Sequence, residues 1–459
     1  MTLQAYLDSL KEKTVAVIGI GVSNTPLIRL LAESGVSVTA CDRKERSQLG
    51  ELPEQMESMG VKLHLGEEYL KGLQADVIFR TPGLRPDVPE LAEAAARGSV
   101  ITSEMEVFFQ VCPCTLVGVT GSDGKTTTTT IIAGLLQQAG HTVHVGGNIG
   151  HPLLAEAGSM SPQDFAVLEL SSFQLMTMDR SPHIAVITNL APNHLDMHKD
   201  MAEYVAAKEN IFLHQKAGDI AVFNADNAIT AEQSQRAPGQ VRRFSRQGEV
   251  EEGVFLRGDT IVARYGGKER QVLCTKDIRI PGVHNVENYM AAIAAVEGLV
   301  PDEVIRNYAK TFNGVEHRIE LVRTLKGVRY YNDSIASSPS RTIAGLNSFD
   351  QKVILIAGGK DKGISYAPLG PVLNQHVKLL ILCGATAGVI RQAALEAENY
   401  DGLEIVEVPD YQAAVSLAHD RAVAGDVVIL SPASTSFDRF RNFMERGQVF
   451  KSIVMELPE

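Results

Sequence analysis

A glycine-rich turn followed by a lysine and five threonines is the clearest phosphate-binding pattern in this chain. It reads Thr120-Gly-Ser-Asp-Gly-Lys-Thr126, and its glycines permit a tight turn whose backbone N–H groups face an anion. Lys125 is expected to reach the terminal phosphates of a nucleotide, and Thr126 to offer its hydroxyl to Mg²⁺. The strict pattern requires glycine where Val119 stands, so a plain turn with a solvated lysine is the alternative. The predicted phosphate-binding residues are Gly121, Ser122, Asp123, Gly124, Lys125, Thr126 and Thr127.

Three residues beyond this turn are candidates for a metal site. Glu169 ends an apolar strand, where a phosphate-binding enzyme holds Mg²⁺, although it could instead cap the next helix. His194 is expected beside a hard metal or a phosphate, and His198 is expected to be solvated. Lys208 lies on a half-apolar helix stripe, for which a lysine reaching out to solvent is the simpler interpretation.

The elements before and after these residues predict repeated strand-helix units. An apolar strand at 14–20 precedes Gly19-Ile-Gly21-Val-Ser-Asn24, and a second strand at 36–40 is followed by Asp42, in the manner of a dinucleotide-binding fold. Either a nicotinamide or flavin site or a nucleotide held as a recognition handle is consistent with this pattern. Residues 241–272 alternate in short stretches, which predicts β-hairpins on the central domain.

Further polar residues stand where strands end or helices begin. Asn285 and Asn288 begin an alanine-rich helix, where their amides suit an adenine edge or simply an N-cap. In the last third, strands near 328–332, 353–357 and 426–430 each end in polar residues. Because the carboxyl ends of parallel strands share one edge of a sheet, these ends predict a ligand site.

Length and charge limit the classes of function. The chain has 459 residues and a formal net charge of −12, which argues for about three domains and against nucleic acid as a partner. Five scattered cysteines do not indicate a disulfide framework, and Cys112-Pro-Cys114 lacks a second pair at the spacing of a metal site. No basic, apolar leader or long apolar run is present, so a cytoplasmic protein without membrane attachment is expected.

The ordered set of motifs resembles the Mur ligases of peptidoglycan synthesis over essentially the whole chain. The motifs are Thr-Gly-x-x-Gly-Lys-Thr, Gly-Gly-Asn-Ile-Gly, Glu-Leu-Ser-Ser-Phe-Gln-Leu, Asn-His-Leu-Asp, His-Arg-x-Glu, Asn-Asp-Ser, Gly-Gly-x-x-Lys and Ser-Pro-Ala-Ser-x-Ser-Phe-Asp-x-Phe. Two of them are most similar to the members that add D-glutamate to UDP-N-acetylmuramoyl-L-alanine. The resemblance implies an ATP-dependent amide ligase that works through an acyl phosphate and acts as a monomer on small-molecule substrates.

The resemblance also implies three α/β domains. A Rossmann-like domain over 1–104 would bind the UDP substrate, a P-loop ATPase domain with added β-hairpins over 105–314 would bind ATP, and a doubly wound domain over 315–459 would bind the amino acid and close over ATP, with hinges near 104 and 314.

Site residues follow from the same resemblance by position. Lys125, Lys208 and His194 would be catalytic. Two Mg²⁺ ions would be held by Thr126, Glu169, His194 and a carbamylated Lys208. ATP would also contact Asn285, Asn288, Arg318 and Asp333. The UDP substrate would contact Gly21, Val22, Ser23, Asp42, Arg43, Thr81, Pro82, Gly83 and Asn148. D-Glutamate would contact Ser337, Lys362, Ser436, Phe437 and Phe443.

Three positions depart from the family pattern. Asp123 stands where asparagine is usual, and Asn24 replaces a glycine. Ile335 stands where a lysine usually contacts the carboxylate of D-glutamate, so Lys362 and a neighbour must carry that charge or the amino acid differs. A folylpolyglutamate synthase-like ligase, a P-loop regulatory switch and a dehydrogenase are the alternatives.

Overall fold

The protein is described by a computed structural model that covers residues 1–193 and 197–458. The chain forms two compact units. The first comprises Met1–Thr275 and Glu287–Tyr308, and the second comprises Lys276–Val286 and Ala309–Glu459. Within the described residues, no helix is both long and apolar enough to cross a membrane.

The first unit begins with a five-stranded, all-parallel sheet. Its strand order is β3-β2-β1-β4-β5. The strands are β1 Thr14–Ile18, β2 Ser37–Asp42, β3 Lys62–Leu65, β4 Val77–Phe79 and β5 Val100–Thr102. The helices are α1 Leu3–Asp8, α2 Asn24–Glu33, α3 Leu52–Ser58, α4 Pro89–Ala96 and α5 Glu104–Val111. The order and the helical crossovers are those of a Rossmann-like fold.

The central sheet has nine strands in the order β14-β13-β12-β11-β10-β9-β6-β8-β7. The strands are β6 Thr115–Thr120, β7 Val143–Gly147, β8 Phe165–Glu169, β9 Ile184–Ile187, β10 Ile220–Asn224, β11 Gln240–Ser245, β12 Gly253–Arg257, β13 Thr260–Tyr265 and β14 Lys268–Cys274. The helices are α6 Lys125–Gln138, α7 Ser172–Leu175, α8 Met201–Leu213, α9 Ala228–Gln233, α10 Val283–Ala295 and α11 Asp302–Thr311. Strand β6 lies between β8 and β9, which both follow it in the sequence.

The hairpin prediction for residues 241–272 was only partly right. Strand β11 pairs in parallel with both β10 and β12, and only β12, β13 and β14 form an antiparallel meander. Gly253 permits the close approach of the two strands where this pairing begins, because it takes φ +144° and a Cβ there would overlap the backbone of Arg243. The alternating pattern identified strands but did not identify their direction.

The second unit contains a six-stranded sheet in the order β15-β16-β20-β17-β18-β19, in which only β15 is antiparallel to its neighbour. The strands are β15 Glu320–Leu325, β16 Val328–Asn332, β17 Val353–Ala357, β18 Val377–Leu382, β19 Glu404–Glu407 and β20 Val427–Leu430. The helices are α12 Pro339–Leu346, α13 Gly370–His376, α14 Ala387–Glu396, α15 Tyr411–Arg421 and α16 Phe443–Glu456. Buried apolar residues fill both faces of this sheet, so the predicted doubly wound α/β class is confirmed.

Candidate functional site

The loop between β6 and α6 has the shape of a phosphate cradle. Gly124 takes φ +78° as the residue before the helix, and Gly121 takes φ +150°. A Cβ at Gly121 would overlap the hydroxyl of Thr188 on the strand alongside. Ser122 is buried, and its hydroxyl lies 2.9 Å from that of Tyr204. The loop is therefore rigidly held, and the N-terminus of a 14-residue helix adds its positive dipole end there.

The side chain of the cradle lysine hydrogen-bonds to the backbone of its own loop. Lys125 donates to the carbonyl oxygens of Gly121 and Ser122, both at 3.0 Å. The side chain of Asp123 is exposed, while Thr127 is buried inside α6. The predicted cradle residues thus form one continuous loop and first helical turn.

The carboxylate predicted for a metal ion stands directly beside the helix start. Glu169, the last residue of β8, is buried, and its Oε2 accepts a hydrogen bond of 2.7 Å from the Thr126 hydroxyl. Its Oε1 accepts one of 2.8 Å from Asn148, which was predicted on the UDP-substrate side. A hydroxyl and a carboxylate side by side supply the hard oxygen ligands that Mg²⁺ prefers, so these residues fit the ion.

Lys208 is not the solvent-reaching lysine that its helix stripe favoured. Its side chain is buried on α8, and its amine donates to the Thr120 hydroxyl and the Gly121 carbonyl, both at 3.0 Å. Burial first, and then the charge of Lys125, holds the pKa of Lys208 well below its usual range. Burial therefore disfavours the charged form of this amine, which lies against the phosphate loop.

Of His194, predicted near a metal or a phosphate, and His198, predicted to be solvated, the structure describes only His198. His194 lies outside the described residues. The prediction that His198 is solvated was wrong, since it is buried, lies 2.9 Å from the Ser172 hydroxyl and stacks on Phe173. A polar stretch of sequence suggested exposure, but the aromatic partner comes from a different element.

Asn288 contacts the start of α6. Its amide oxygen accepts a 3.2 Å hydrogen bond from Thr128 and lies where a Cβ at Gly124 would have to go. The other predicted asparagine, Asn285, belongs to the second unit and donates to the Pro281 carbonyl at 2.6 Å.

A cavity of about 190 Å³ lies between the first sheet and the central sheet. Four of the predicted UDP-substrate residues line it, namely Val22, Ser23, Pro82 and Asn148. The sequence analysis did not place Glu104, His151 and Gln174 in a site, but they line the same cavity. Glu104 is buried and accepts from the Leu154 N–H at 3.0 Å, and burial raises its pKa to about 7.

The other residues predicted to bind the UDP substrate lie on the surrounding loops. The carboxylate of Asp42 accepts from the N–H groups of Ile20 at 2.6 Å and Lys44 at 2.8 Å, so it organises the loop after β1. The side chain of Asn24 is buried and donates to the Ile18 carbonyl. The remaining four positions are partly or fully exposed: Gly21, Arg43, Thr81 and Gly83.

In the second unit, Asp333 is the buried acid at the end of β16. Its Oδ2 accepts a 2.7 Å hydrogen bond from Ser431, and its Oδ1 lies 3.4 Å from the Ile319 nitrogen. Burial raises the pKa of Asp333 to about 7, although Ser431 and the charge of Arg318 oppose this rise. The residues on either side of Arg318, His317 and Ile319, take positive φ values of 64° and 44°, a strained geometry that is common at functional sites.

A buried arginine that the sequence analysis missed joins the strand ends of this unit. Arg446 on α16 donates to the Ser334 hydroxyl at 3.0 Å, to the Ser334 carbonyl at 2.8 Å and to the Ser434 carbonyl at 3.0 Å. Ser434 in turn contacts the hydroxyls of Tyr366 and Thr386. Arg446 therefore holds the loop after β16 against the loop after β20. This agrees with the prediction that the polar ends of these parallel strands lie at one edge of the sheet.

The residues predicted to bind D-glutamate differ in exposure. Ser436 is buried, Phe443 and Ser337 are half-buried, Lys362 is exposed, and Phe437 is 63% exposed. Ile335 is half-buried, and its carbonyl accepts a 3.2 Å hydrogen bond from the Arg341 guanidinium. The positively charged side chain of Arg341 therefore lies at this turn. The sequence analysis did not identify this residue.

Comparisons with known proteins agree with this architecture. Sequence profiles match in three places: Mur ligase MurD-like, N-terminal domain over 13–103, Mur ligase middle domain over 119–296, and Mur ligase, glutamate ligase domain over 317–434. A UDP-N-acetylmuramoylalanine--D-glutamate ligase of Acetivibrio thermocellus is 52% identical over 457 residues, 98% of each chain. One of Ruminiclostridium cellulolyticum is 50% identical over 463 residues, 99% of each chain.

Solved structures share the fold. The crystal structure of UDP-N-acetylmuramate-alanine ligase MurC from Thermotoga maritima matches with a TM-score of 0.59 at 18% identity, over 97% of this chain and 99% of that one. Three α/β sheets, with a phosphate loop and a strand-end carboxylate in the central one, define a P-loop α/β protein. The chain belongs to the Mur ligase family.

Proposed function

We propose that this protein is the ligase that joins D-glutamate to UDP-N-acetylmuramoyl-L-alanine, with ATP as the energy source, in the synthesis of peptidoglycan precursors. The observation that carries the proposal is the identity of about half of all residues, over the full length, with relatives named for this reaction. The phosphate cradle beside Glu169 supplies the matching chemistry.

The reaction requires activation because a carboxylate does not accept an amine at neutral pH. The terminal carboxylate of the UDP substrate attacks the γ-phosphorus of ATP, which forms an acyl phosphate and releases ADP. The amine of D-glutamate then adds to the acyl carbon, loses a proton and expels phosphate. Lys125 and the N–H groups of the cradle neutralise charge on the transferring phosphoryl group, and the loop positions it.

The described residues fit Mg²⁺ at the cradle, and we propose two ions there. Thr126 and Glu169 would hold one ion and Lys208, as a carbamate, the other, with His194 proposed as a further ligand. When bound, the ions would neutralise negative charge on the phosphates and the acceptor carboxylate.

The carbamate proposal for Lys208 rests on its amine, which is buried against the phosphate loop and whose charged form burial disfavours. Such an amine can attack CO₂ and lose a proton, and the product is an anion that would balance Lys125 and bind a cation. ¹³C-labelled bicarbonate is expected to give a carbamate signal in the carbon NMR spectrum of the wild type and not of Lys208→Arg. Lys199→Arg, which removes an exposed lysine, should retain the signal. A spectrum with no carbamate signal in the wild type would contradict the proposal.

The function is tested by phosphate release from ATP with UDP-N-acetylmuramoyl-L-alanine and one amino acid at a time. Release that requires both the UDP substrate and D-glutamate supports the proposal. Release with another amino acid would keep the ligase but change its specificity. Release that needs no amino acid would favour a P-loop switch and overturn the ligase.

Lys125→Ala separates chemistry from substrate binding. Turnover should be lost while binding of the UDP substrate, measured by calorimetry, persists, because the cavity lined by Val22 and Pro82 does not include Lys125. Loss of both would contradict the assignment of the two sites.

Several finer assignments belong to the same proposal. The domain bounds are 1–104, 105–314 and 315–459, the protein acts as a monomer in the cytoplasm, and its partners are small molecules and neither nucleic acid nor membrane. Light scattering of the purified protein tests the monomer, and limited proteolysis tests the bounds.

A further inference from the structure

A second group of potential metal ligands lies far from the phosphate cradle, where three neighbouring strands of the central sheet begin. Cys114 directly precedes β6, His144 is the second residue of β7, and Asp164 directly precedes β8. Because β6, β8 and β7 are adjacent in the sheet, residues 20 to 50 positions apart in sequence come together at this edge.

The ligand atoms of these residues are already close. One donor atom from each of Cys114, His144 and Asp164 lies within 4.8 Å of the other two. His144 Nε2 and Asp164 Oδ2 are 3.0 Å apart. The Cys112 thiol, just after α5, interacts with that of Cys114, but it donates to the Met160 sulfur at 4.0 Å and lies outside the group of three donors. It would become a fourth donor by turning away from Met160. Cys112-Pro-Cys114 thus gains the two partners that sequence spacing alone did not reveal.

The chemistry of this set is specific. Two thiols, one imidazole and one carboxylate make a ligand set of sulfur, nitrogen and oxygen that suits Zn²⁺. With metal–ligand bonds of about 2.0–2.3 Å, a tetrahedral site has donor–donor distances of roughly 3.3–3.8 Å. Cys114, His144 and Asp164 therefore need only a small contraction, and the Cys112 thiol has to turn from Met160 toward them. We propose that Cys112, Cys114, His144 and Asp164 form a structural zinc site, with each thiol releasing its proton to solvent when the metal binds.

Burial and neighbouring charge favour this cluster over the other candidate group of the described residues. Cys114 is buried, and the side chains of His144 and Asp164 are only 21% and 14% exposed. The other group, Glu316, His317 and Glu320, already holds the ammonium of Lys451 against both of its carboxylates. A cation in that second group would have to displace a lysine, whereas no lysine or arginine of the described residues forms an ion pair with the cysteine cluster.

The position of the cluster implies a structural role. It lies at the opposite end of β6 from the phosphate loop, about 20 Å away along a strand of six residues. Zinc there would join the end of α5 to three strands of the central sheet, at the place where the chain passes from the first sheet to the second. Loss of the metal should therefore lower stability without removing any group from the cradle.

Cobalt titration of the full-length, reduced protein tests the proposal. Co²⁺ bound by thiolates gives an intense charge-transfer band in the near ultraviolet, which an ion held by oxygen ligands at the cradle does not give. The wild type is expected to show this band up to one equivalent, and added Zn²⁺ should remove it. Cys114→Ser and His144→Ala should each lose it, with a fall in zinc affinity larger than the ~10–100-fold that loss of an outer-sphere partner costs.

Cys274→Ser is the matched control, because Cys274 is a partly buried thiol at the end of β14 and outside the cluster. It should keep the band. His144→Ala removes a partly exposed side chain, so it provides a folded variant if Cys114→Ser does not fold, with circular dichroism as the check. A wild type without the band, a band that persists in His144→Ala, or a Cys112–Cys114 disulfide that survives reductant and excludes cobalt would each overturn the proposal.

Discussion

The positive charge of the turn after β16 belongs to Arg341, because position 335 carries an isoleucine. The guanidinium donates to the Ile335 carbonyl at 3.2 Å, and Arg341 is exposed, so it has both the place and the freedom to meet a carboxylate. We expect Arg341→Gln to raise the KM for D-glutamate by about 10–100-fold, since a hydrogen bond to a charged group contributes about 1.5–3 kcal/mol.

A compensating variant makes the Arg341 prediction sharper. Adding Ile335→Lys to Arg341→Gln should restore much of the affinity for D-glutamate, whereas Arg421→Gln, which removes an exposed arginine paired with Glu404, should leave the KM unchanged. Steady-state kinetics with varied D-glutamate measures all three. An unchanged KM in Arg341→Gln would contradict this role for the arginine.

Glu104 should make the stability of the protein fall as the pH rises. Burial raises its folded-state pKa from 4.5 to about 7, so its contribution is complete below pH 4.5 and is lost as the pH rises through about 7. Because glutamine does not ionise, Glu104→Gln should not show this pH-dependent loss of stability. Relative to the wild type, its free energy of unfolding should therefore rise by about 2–3 kcal/mol between pH 4.5 and pH 8.

Urea unfolding at several pH values measures the effect of Glu104. The variant Glu93→Gln removes an exposed carboxylate from α4 and separates the effect of burial from the loss of one negative charge. Asp333, whose pKa burial also raises to about 7, is present in all three proteins and cancels in the comparison. A difference between Glu104→Gln and wild type that does not change with pH would contradict the argument.

Residues beside glycine turns were the ones that the sequence could reveal. Lys125, Thr126 and Glu169 follow directly from a turn and a strand end, and the structure brings them together. Arg446 could not be found in this way, because it follows other charged residues on what reads as a solvated helix. Its burial depends on serines of two distant loops, which no local pattern displays.

At the scale of elements, α6 depends on the glycine that precedes it. Gly124 and Gly140 flank this helix with φ values of +78° and +93°, but a Cβ at Gly124 would overlap the Asn288 amide, whereas nothing lies within 4 Å at Gly140. Alanine at either position costs about 1 kcal/mol of backbone strain. Gly124→Ala should cost about 2–3 kcal/mol in total and abolish ATP binding.

Gly140→Ala is the matched control for this clash, since it shares the backbone conformation and lacks the neighbour. It should lose about 1 kcal/mol of stability and retain ATP binding, as measured by calorimetry and urea unfolding. Equal behaviour of the two variants would show that backbone strain alone, and not contact with Asn288, governs the loop.

Elements were predicted well where apolar runs were continuous and poorly where they alternated. The buried strands β6, β8, β17 and β20 follow from such runs, and their common edge follows from parallel pairing. The direction of β11 did not follow, because an alternating pattern is the same for parallel and antiparallel neighbours. The close approach at Gly253 that permits the parallel arrangement is a tertiary contact.

At the scale of the molecule, Arg80 joins the first sheet to the central part of the first unit. It is buried just after β4 and donates to Thr177 at 2.7 Å and to the Phe173 carbonyl at 3.2 Å. Arg80→Ala should lower the free energy of unfolding by about 2–4 kcal/mol, because a buried side chain is removed and partly buried acceptors lose their donor. It should also weaken binding of the UDP substrate, since Pro82 follows two residues later.

Cooperativity provides the second measurement for Arg80. One cluster of buried apolar residues runs from Leu3 to Phe223, so the two sheets of the first unit should unfold in one transition in urea. Arg80→Ala should split this single unfolding transition into two. Arg97→Ala, which removes a half-exposed arginine, should leave it single. A single unfolding transition in Arg80→Ala would contradict the prediction that Arg80 couples the unfolding of the two sheets.

The order of strands in the central sheet has a consequence for synthesis on the ribosome. Strand β6 leads into the phosphate loop, but its neighbours on both sides, β8 and β9, come later in the chain. The loop is also held by Thr188 and Asn189. A nascent chain therefore exposes the apolar residues of β6 until residue 189 has emerged, and translation must run some 65 residues past Lys125 before a nucleotide can bind.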